Sequence, residues 1–182
     1  MTTAQWLIIV TGWTGSGKST ISDELAEEFG ATVASYDWLM SGLRELPEVW
    51  DSVGSSVDSR QTVGWSLLSR VAEQQLRRGS SCILDLVACE EPRRRWQDLA
   101  RRYDADFAVI ECVCSDVGIH RSRVDGRARG IPGWYELDWS TVEGGRSLYQ
   151  PLDEPKLVLD AVNPLADNVA AAKEWLAAIR RS

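Results

Sequence analysis

A glycine-rich stretch near the start of the chain limits the possible folds more than any other part of the sequence. Residues 12–19 read GWTGSGKS and match in full the pattern GxxxxGK followed by Ser or Thr. A short apolar run rich in β-branched residues precedes the stretch at 6–10, and apolar residues at helical spacing follow it from 18 to 29. A strand, a tight glycine loop and a helix in this order predict a phosphate-binding loop.

The residue types in this loop fit the triphosphate tail of a nucleotide. Glycines let the backbone turn so that several N–H groups point at one anion, and the helix start adds its positive dipole end. Lys18 can reach the β- and γ-phosphates, and the Ser19 hydroxyl can hold Mg²⁺. Lys18 is the only lysine before Lys156, so a general preference for lysine does not explain it. The predicted nucleotide-binding residues are Gly12, Trp13, Thr14, Gly15, Ser16, Gly17, Lys18, Ser19 and Thr20.

Short apolar runs alternate with amphipathic segments along the rest of the chain. Further strands are predicted at residues 32–35, 82–86, 107–114 and 157–160, with helices between them. This alternation predicts an α/β fold, a three-layer α/β/α sandwich whose parallel five-stranded sheet has the order 2-3-1-4-5. Residues 38–58 are irregular apart from a short helix predicted at 39–46. We expect one domain over residues 1–182, with a small arginine-bearing lid at about residues 116–140.

The composition is that of an ordinary globular protein, and it narrows the function classes. The chain has 182 residues and a net charge of −7, with 44% hydrophobic and 26% charged residues. No apolar run approaches the roughly 18 residues of a membrane helix. Residues 1–5 lack the features of a secretory signal, so we expect a cytoplasmic protein without membrane contact. The acidic balance disfavours long nucleic acids as partners, and the four cysteines are expected to be reduced thiols.

Two aspartates follow predicted strands, at the edge where the phosphate-binding loop lies. Asp85 ends the third strand, where it can orient water on Mg²⁺, and the alternative is an ordinary turn aspartate. Asp37 follows the second strand and can accept the proton of an attacking hydroxyl. The alternative for Asp37 is a cap for the helix that follows, and the two roles can coexist.

A second charged feature is the segment 120–130, HRSRVDGRARG, which holds four arginines between glycines. Arg123 and Arg127 are four residues apart, so a helix would place them on one face. Arginines on a mobile segment can neutralise the charge of a phosphoryl group in transfer, and the alternative is a solvated basic helix. Arg93–Arg95 are predicted to form such a solvated face, and His120 is predicted to be a partly buried helix residue.

Nine tryptophans are many for this length. Most are predicted to be packing residues. Four of them stand next to the features above and offer an acceptor pocket for a flat or apolar substrate, with simple packing as the alternative. These four are Trp13, Trp38, Trp134 and Trp139.

These motifs resemble those of the small P-loop kinases related to chloramphenicol phosphotransferase, zeta-toxin-like kinases and polynucleotide kinase, a group of AAA-type ATP-binding P-loop NTPases. The resemblance rests on GWTGSGKST, on Asp37, on LDLVACEEPRRRW after the third strand, and on RSRVDGRAR. It implies that Asp37 is the catalytic base and that Arg123 and Arg127 are the lid arginines. It also implicates Asn163, after the last strand, in contact with adenine.

The expected activity is ATP-dependent transfer of the γ-phosphate to a hydroxyl of a small-molecule acceptor. Lys18, Asp37, Arg123 and Arg127 are the expected catalytic residues, and Ser19 and Asp85 the expected Mg²⁺ site. A polynucleotide 5′-hydroxyl kinase remains an alternative, although Met40 stands where polynucleotide kinases carry an arginine three residues after the base. A non-catalytic nucleotide-binding switch is the other alternative, although the chain has no NKxD guanine motif.

Overall fold

The computed structural model describes residues 5–54 and 56–180. The strands are β1 Trp6–Thr11, β2 Thr32–Ser35, β3 Cys82–Asp85, β4 Asp106–Val113 and β5 Leu157–Asp160. The helices are α1 Lys18–Phe29, α2 Tyr36–Arg44, α3 Pro47–Val53, α4 Val57–Arg77, α5 Glu90–Arg102, α6 Val117–Asp125, α7 Trp139–Gly145 and α8 Leu165–Ile179. A short 3₁₀ helix, Arg146–Leu148, follows α7.

The five strands form one parallel sheet in the order β2-β3-β1-β4-β5, which confirms the predicted topology. β1 lies in the middle, and all six of its residues are buried. A strand that is covered on both faces needs apolar side chains throughout, which the run at 6–10 supplies. The register pairs Ser35 with Asp85 and Val10 with Asp85, so the ends of β1, β2 and β3 meet at one edge.

Two apolar layers cover the two faces of the sheet, which confirms the three-layer sandwich. On one face, Leu7 and Ile9 pack with Leu68 of α4 and Trp96 of α5. On the other face, alternate residues of β1 pack with residues of α1 and α8, among them Leu25 and Leu176. Alternate side chains of a strand point to opposite faces, which is why one run of apolar residues serves both layers.

The structure differs from the sequence prediction in two connecting regions. The short helix predicted at 39–46 corresponds to α2, which begins earlier, at Tyr36, and ends at Arg44. The region also contains α3, which was not predicted and begins at Pro47, whose fixed backbone angle suits the first turn of a helix. The predicted helix that carries Arg123 ends at Asp125, and Gly126 is its C-cap. Glycine has a low helix propensity, which favours the end of the helix at this position. Arg127 lies beyond this end, so the prediction that Arg123 and Arg127 share one helix face is wrong.

The prediction of one domain over residues 1–182 includes residues outside the described ones and stays a prediction. Among the described residues, no helix combines the length and the apolar character that crossing a membrane requires.

The four cysteines are free thiols, as expected.

Candidate active site

The glycine-rich loop joins β1 to α1 and passes directly beside β4. Gly12 has a φ of 139°, and a Cβ atom built there would lie 2.0 Å from the carbonyl oxygen of Cys112. No side chain fits this position, so the first glycine of the motif is required by a close approach of two backbones. Gly17 occupies the N-cap position of α1, and no side chain caps the helix. The first N–H groups of α1 are therefore available to an anion.

One further polar atom of the loop lacks a protein partner. The Ser16 hydroxyl is buried and has no hydrogen-bond partner among the described residues. A buried polar group without a partner is unfavourable, which indicates that a ligand or water completes this site. The Lys18 ammonium donates to the carbonyl oxygen of Trp13 at 3.2 Å. Burial lowers the pKa of Lys18, and the nearby Asp85 opposes this shift.

A cavity of about 510 Å³ lies over the loop and extends towards the end of β5. The loop and helix residues that line it are Gly15, Ser16, Gly17, Lys18, Ser19, Thr20 and Ile21. The residues from elsewhere in the chain are Cys112, Arg123, Arg127, Arg129, Leu159, Ala161, Asn163, Leu165 and Asn168. The cavity therefore brings together the predicted phosphate loop, both predicted lid arginines and Asn163.

Ser19, which is exposed, and the buried Asp85 form a hydrogen-bonded pair at the edge of this cavity. The Ser19 hydroxyl donates to Oδ2 of Asp85 at 2.8 Å, and the Asp85 side chain is almost fully buried. Burial raises the pKa of Asp85, while Lys18 and the Ser19 hydrogen bond oppose the shift. A hydroxyl and a carboxylate are hard oxygen ligands of the kind Mg²⁺ prefers, so the two residues fit the predicted metal site. No group of three or more His, Cys, Asp or Glu side chains in residues 5–54 and 56–180 is placed to hold a metal.

Asp37 stands in the first turn of α2, two residues after the strand residue that pairs with Asp85. Ser35, not Asp37, is the N-cap of α2, so the capping alternative for Asp37 is wrong. The Asp37 carboxylate is one-third exposed and forms an ion pair with Nη1 of Arg129. Asp37 also opposes the lowering of the Lys18 pKa, which reflects the closeness of the carboxylate to the phosphate loop.

Arg129 is the residue that the sequence reasoning missed. Its Nε donates to Glu136 at 3.0 Å, and its Nη2 donates to the carbonyl oxygen of Tyr135 at 2.9 Å. Its backbone N–H also donates to Glu136 at 2.9 Å. Arg129 belongs to the arginine-rich motif RSRVDGRAR, two residues after Arg127, and this motif could have marked it as a candidate site residue. The spacing of the motif does not reveal that Arg129 contacts Asp37.

The other two arginines of the lid are held differently. Nη2 of Arg123 donates to the carbonyl oxygen of Ala161 at 2.8 Å, at the β5 end of the cavity. Arg127 lines the cavity, and within the part of the chain that the structure describes its guanidinium has no hydrogen bond or ion pair. Burial and the neighbouring Arg129 lower the pKa of Arg127. A half-buried guanidinium without a partner is suited to an anionic ligand.

The four tryptophans do not form one pocket. Nε1 of Trp13 donates to the carbonyl oxygen of Val142 at 2.8 Å, so this side chain packs on α7. Trp139 is buried in a small apolar cluster on the same helix. Trp38 is more than half exposed, and Trp134 stacks on its neighbour in the chain at 4.8 Å. Packing explains Trp13 and Trp139, whereas Trp38 and Trp134 remain on the side of Asp37.

Two further predictions concern single residues of the surrounding helices. His120 is buried on α6, as expected, and its Nε2 lies 2.7 Å from the carbonyl oxygen of Thr14, to which it donates. Arg93 is buried rather than solvated, because it donates to the carbonyl oxygens of Asp153 and Pro155. The prediction of a solvated face is therefore wrong at Arg93 and fits the exposed Arg94 and Arg95.

The fold and the loop define a P-loop protein. A family model described as AAA domain matches residues 7–152, and the chain belongs to this family. No curated protein matches the sequence significantly.

Solved structures of P-loop proteins share the fold over nearly the whole chain. A sugar kinase from Janibacter sp. is 19% identical with a TM-score of 0.65, covering 96% of this chain and 95% of its own. Kti12 from Chaetomium thermophilum, in complex with ADP-AlF3, is 20% identical with a TM-score of 0.69, covering 95% and 98%. The APS kinase CysC from Mycobacterium tuberculosis, in complex with AMPPNP and APS, is 19% identical with a TM-score of 0.65, covering 98% and 99%. These likenesses and the family match confirm the resemblance to small P-loop kinases.

Proposed function

We propose that this protein is an ATP-dependent phosphotransferase that moves the γ-phosphate to a hydroxyl of a small-molecule acceptor. The observation that carries the proposal is the position of Asp37, which lies at the same sheet edge as the phosphate loop and the Ser19–Asp85 pair. A protein that binds a nucleotide without transferring its phosphate does not need a partly exposed carboxylate beside the phosphate loop.

The nucleotide end of the cavity holds the triphosphate. The backbone N–H groups from Gly15 to Ser19 surround the phosphates, and Lys18 binds the β- and γ-phosphate oxygens. Gly12, Trp13 and Thr14 shape the loop rather than line the cavity. Asn163 is placed to contact the base, at the far end of the cavity beside the residues after β5.

Ser19 and Asp85 hold the magnesium ion in this proposal. Ser19 would supply an oxygen ligand, and Asp85 would orient Ser19 and water towards the ion. Bound magnesium would offset the negative charge that develops on the phosphate oxygens during transfer.

The transfer step uses Asp37 and the lid arginines. The acceptor oxygen attacks the γ-phosphorus while its proton passes to the Asp37 carboxylate, and the bond from the γ-phosphorus to the bridging oxygen breaks to release ADP. Arg127 is the arginine best placed to neutralise the transferred group, because its guanidinium lines the cavity without a partner among the described residues. Arg123 steadies the nucleotide from the β5 side, where it contacts Ala161.

A small acceptor is favoured over a nucleic acid. The relatives above include a sugar kinase and an enzyme solved with APS, and both names indicate small molecules. The net charge of −7 disfavours a polynucleotide, whose binding depends on many cationic contacts.

The proposal is tested by ATP turnover measured across a panel of sugars, nucleosides and hydroxyl-bearing antibiotics. We expect Asp37→Asn to lower transfer to the best acceptor by about 10²-fold or more, the range for a general base. Mg·AMPPNP binding, followed by calorimetry, should stay near the wild-type level. Asp51→Asn is the matched control, because Asp51 is an exposed carboxylate on the neighbouring helix α3. Unchanged transfer in Asp37→Ala would remove Asp37 as the base.

A nucleotide-binding switch is the second candidate, and one observation favours it. The Asp37 carboxylate is engaged by Arg129 rather than open to an acceptor. Tight Mg·AMPPNP binding without transfer to any member of the panel would support the switch over the kinase.

A further inference from the structure

Arg129 lies between the two halves of the candidate active site. Its guanidinium lines the nucleotide cavity, yet all three of its nitrogen atoms donate hydrogen bonds to protein groups. The side chain is only 15% exposed, and Asp37 and Glu136 both pair with it. Such a guanidinium is fixed in place, unlike the partner-free guanidinium of Arg127 in the same cavity.

We propose that Arg129 is a positioning residue that occupies the Asp37 carboxylate until the acceptor arrives, so that bound ATP is not hydrolysed by water. This inference rests on the proposed function, because it takes Asp37 as the base. It assigns to the third lid arginine a role different from the phosphate contacts of Arg123 and Arg127.

A base that stands beside a γ-phosphate can also activate water. Water would then attack the γ-phosphorus, its proton would pass to Asp37, and the bond to the bridging oxygen would break to give ADP and inorganic phosphate. The Asp37 oxygen that accepts the Arg129 hydrogen bond is not free for this proton.

The surrounding contacts hold Arg129 beside Asp37, at the edge of the nucleotide cavity. The Glu136 carboxylate accepts two hydrogen bonds from Arg129, one from its backbone N–H and one from Nε. The segment from 129 to 136 in turn rests on the helices next to Asp37, since Nη1 of Arg44 donates to the carbonyl oxygen of Gly133 at 3.0 Å. The ring of Trp134 meets that of Trp50 edge-on at 6.2 Å. An acceptor that enters beside Asp37 must displace this segment, and Arg129 leaves the carboxylate with it.

The test uses water as the only acceptor. Phosphate release from MgATP is measured without added alcohol in the wild type, Arg129→Met, Asp37→Asn and the double variant. We expect Arg129→Met to raise hydrolysis about tenfold, a fraction of the 10²–10⁴ available to a general base, and the double variant to return to the wild-type rate. Arg129→Lys keeps the charge but cannot make the three contacts at once, so it should give a smaller rise.

Arg121→Met is the matched control. Arg121 is an exposed arginine of the lid that pairs with Asp125 on α6, and its removal leaves Arg129 with Asp37, Glu136 and Tyr135, so hydrolysis should stay at the wild-type rate. Mg·AMPPNP binding is measured for every protein by calorimetry, and folding by circular dichroism. If Arg129→Met fails to fold, Arg129→Lys decides the question by its smaller rise over the wild type and by the loss of that rise when Asp37 is also replaced.

The outcomes separate this inference from the proposed function. Equal hydrolysis in the wild type and both Arg129 variants, with Mg·AMPPNP bound by all, would overturn the inference. So would a rise that persists when Asp37 is replaced, or an equal rise in Arg121→Met. Absence of Mg·AMPPNP binding by the wild type would instead overturn the proposed function itself.

Discussion

The nucleotide end and the acceptor end of the candidate active site are held together in different ways. The nucleotide end is held by a close approach of two main chains, Gly12 against β4, and by the hydrogen bond of Ser19 to the buried carboxylate of Asp85. The acceptor end is closed by partly exposed side chains, with Arg129 joined to Asp37 and Glu136. The first arrangement is fixed by the sheet, whereas the second depends on ion pairs.

The difference indicates which end can change during a reaction. Ion pairs that remain in contact with water stabilise a protein by at most about 1 kcal/mol, so a ligand can displace them. A loop whose glycine has no room for a side chain has no comparable freedom. We therefore expect substitutions at the nucleotide end to abolish activity. Substitutions of the lid arginines should instead change either kcat or the KM for ATP.

The largest effect is expected for Lys18→Met. Among the described residues that line the cavity, Lys18 is the one lysine. Its loss should lower phosphate transfer about 10³-fold, similar to the loss of a strong transition-state contact. Initial rates with MgATP and calorimetry with Mg·AMPPNP measure the effect. Lys173→Met is the matched control, because Lys173 pairs with Glu28 on the surface. A loss below about tenfold would contradict a fixed phosphate site.

The sequence predicted the strand, loop and helix at the nucleotide end because their determinants are local. The loop, the strand before it and the helix after it are consecutive, and Asp85 follows directly from the end of a buried strand. The sequence did not predict the Arg129–Asp37 pair, whose partners are 92 residues apart. Likewise, Arg93 is buried by carbonyl groups 60 and 62 residues away. Such contacts depend on how distant segments pack, which periodicity does not describe.

The lid arginines sharpen the comparison with a smaller effect. Arg127→Ala should lower kcat about 10²-fold, since it removes a charge that is available to the transferred group. Arg123→Ala should chiefly raise the KM for ATP, by about tenfold, because Arg123 contacts the β5 end of the cavity. Steady-state kinetics with ATP varied at saturating acceptor separates the two. Arg121→Ala is the control, since Arg121 is exposed and pairs with Asp125 on the same helix. Interchanged effects on kcat and KM would reverse the two assignments.

Trp13 joins the phosphate loop to the lid, and its replacement should give the smallest effect. Trp13→Phe keeps an aromatic ring but removes the donor to the Val142 carbonyl, which should cost about 1 kcal/mol of unfolding free energy. The melting temperature should then fall by about 2–4 °C, with nucleotide affinity nearly unchanged. Trp38→Phe is the control, because Trp38 is 54% exposed. A large loss of transfer in Trp13→Phe at an unchanged melting temperature would mean that this ring contacts a substrate, and that the boundary between the two ends lies within the loop itself.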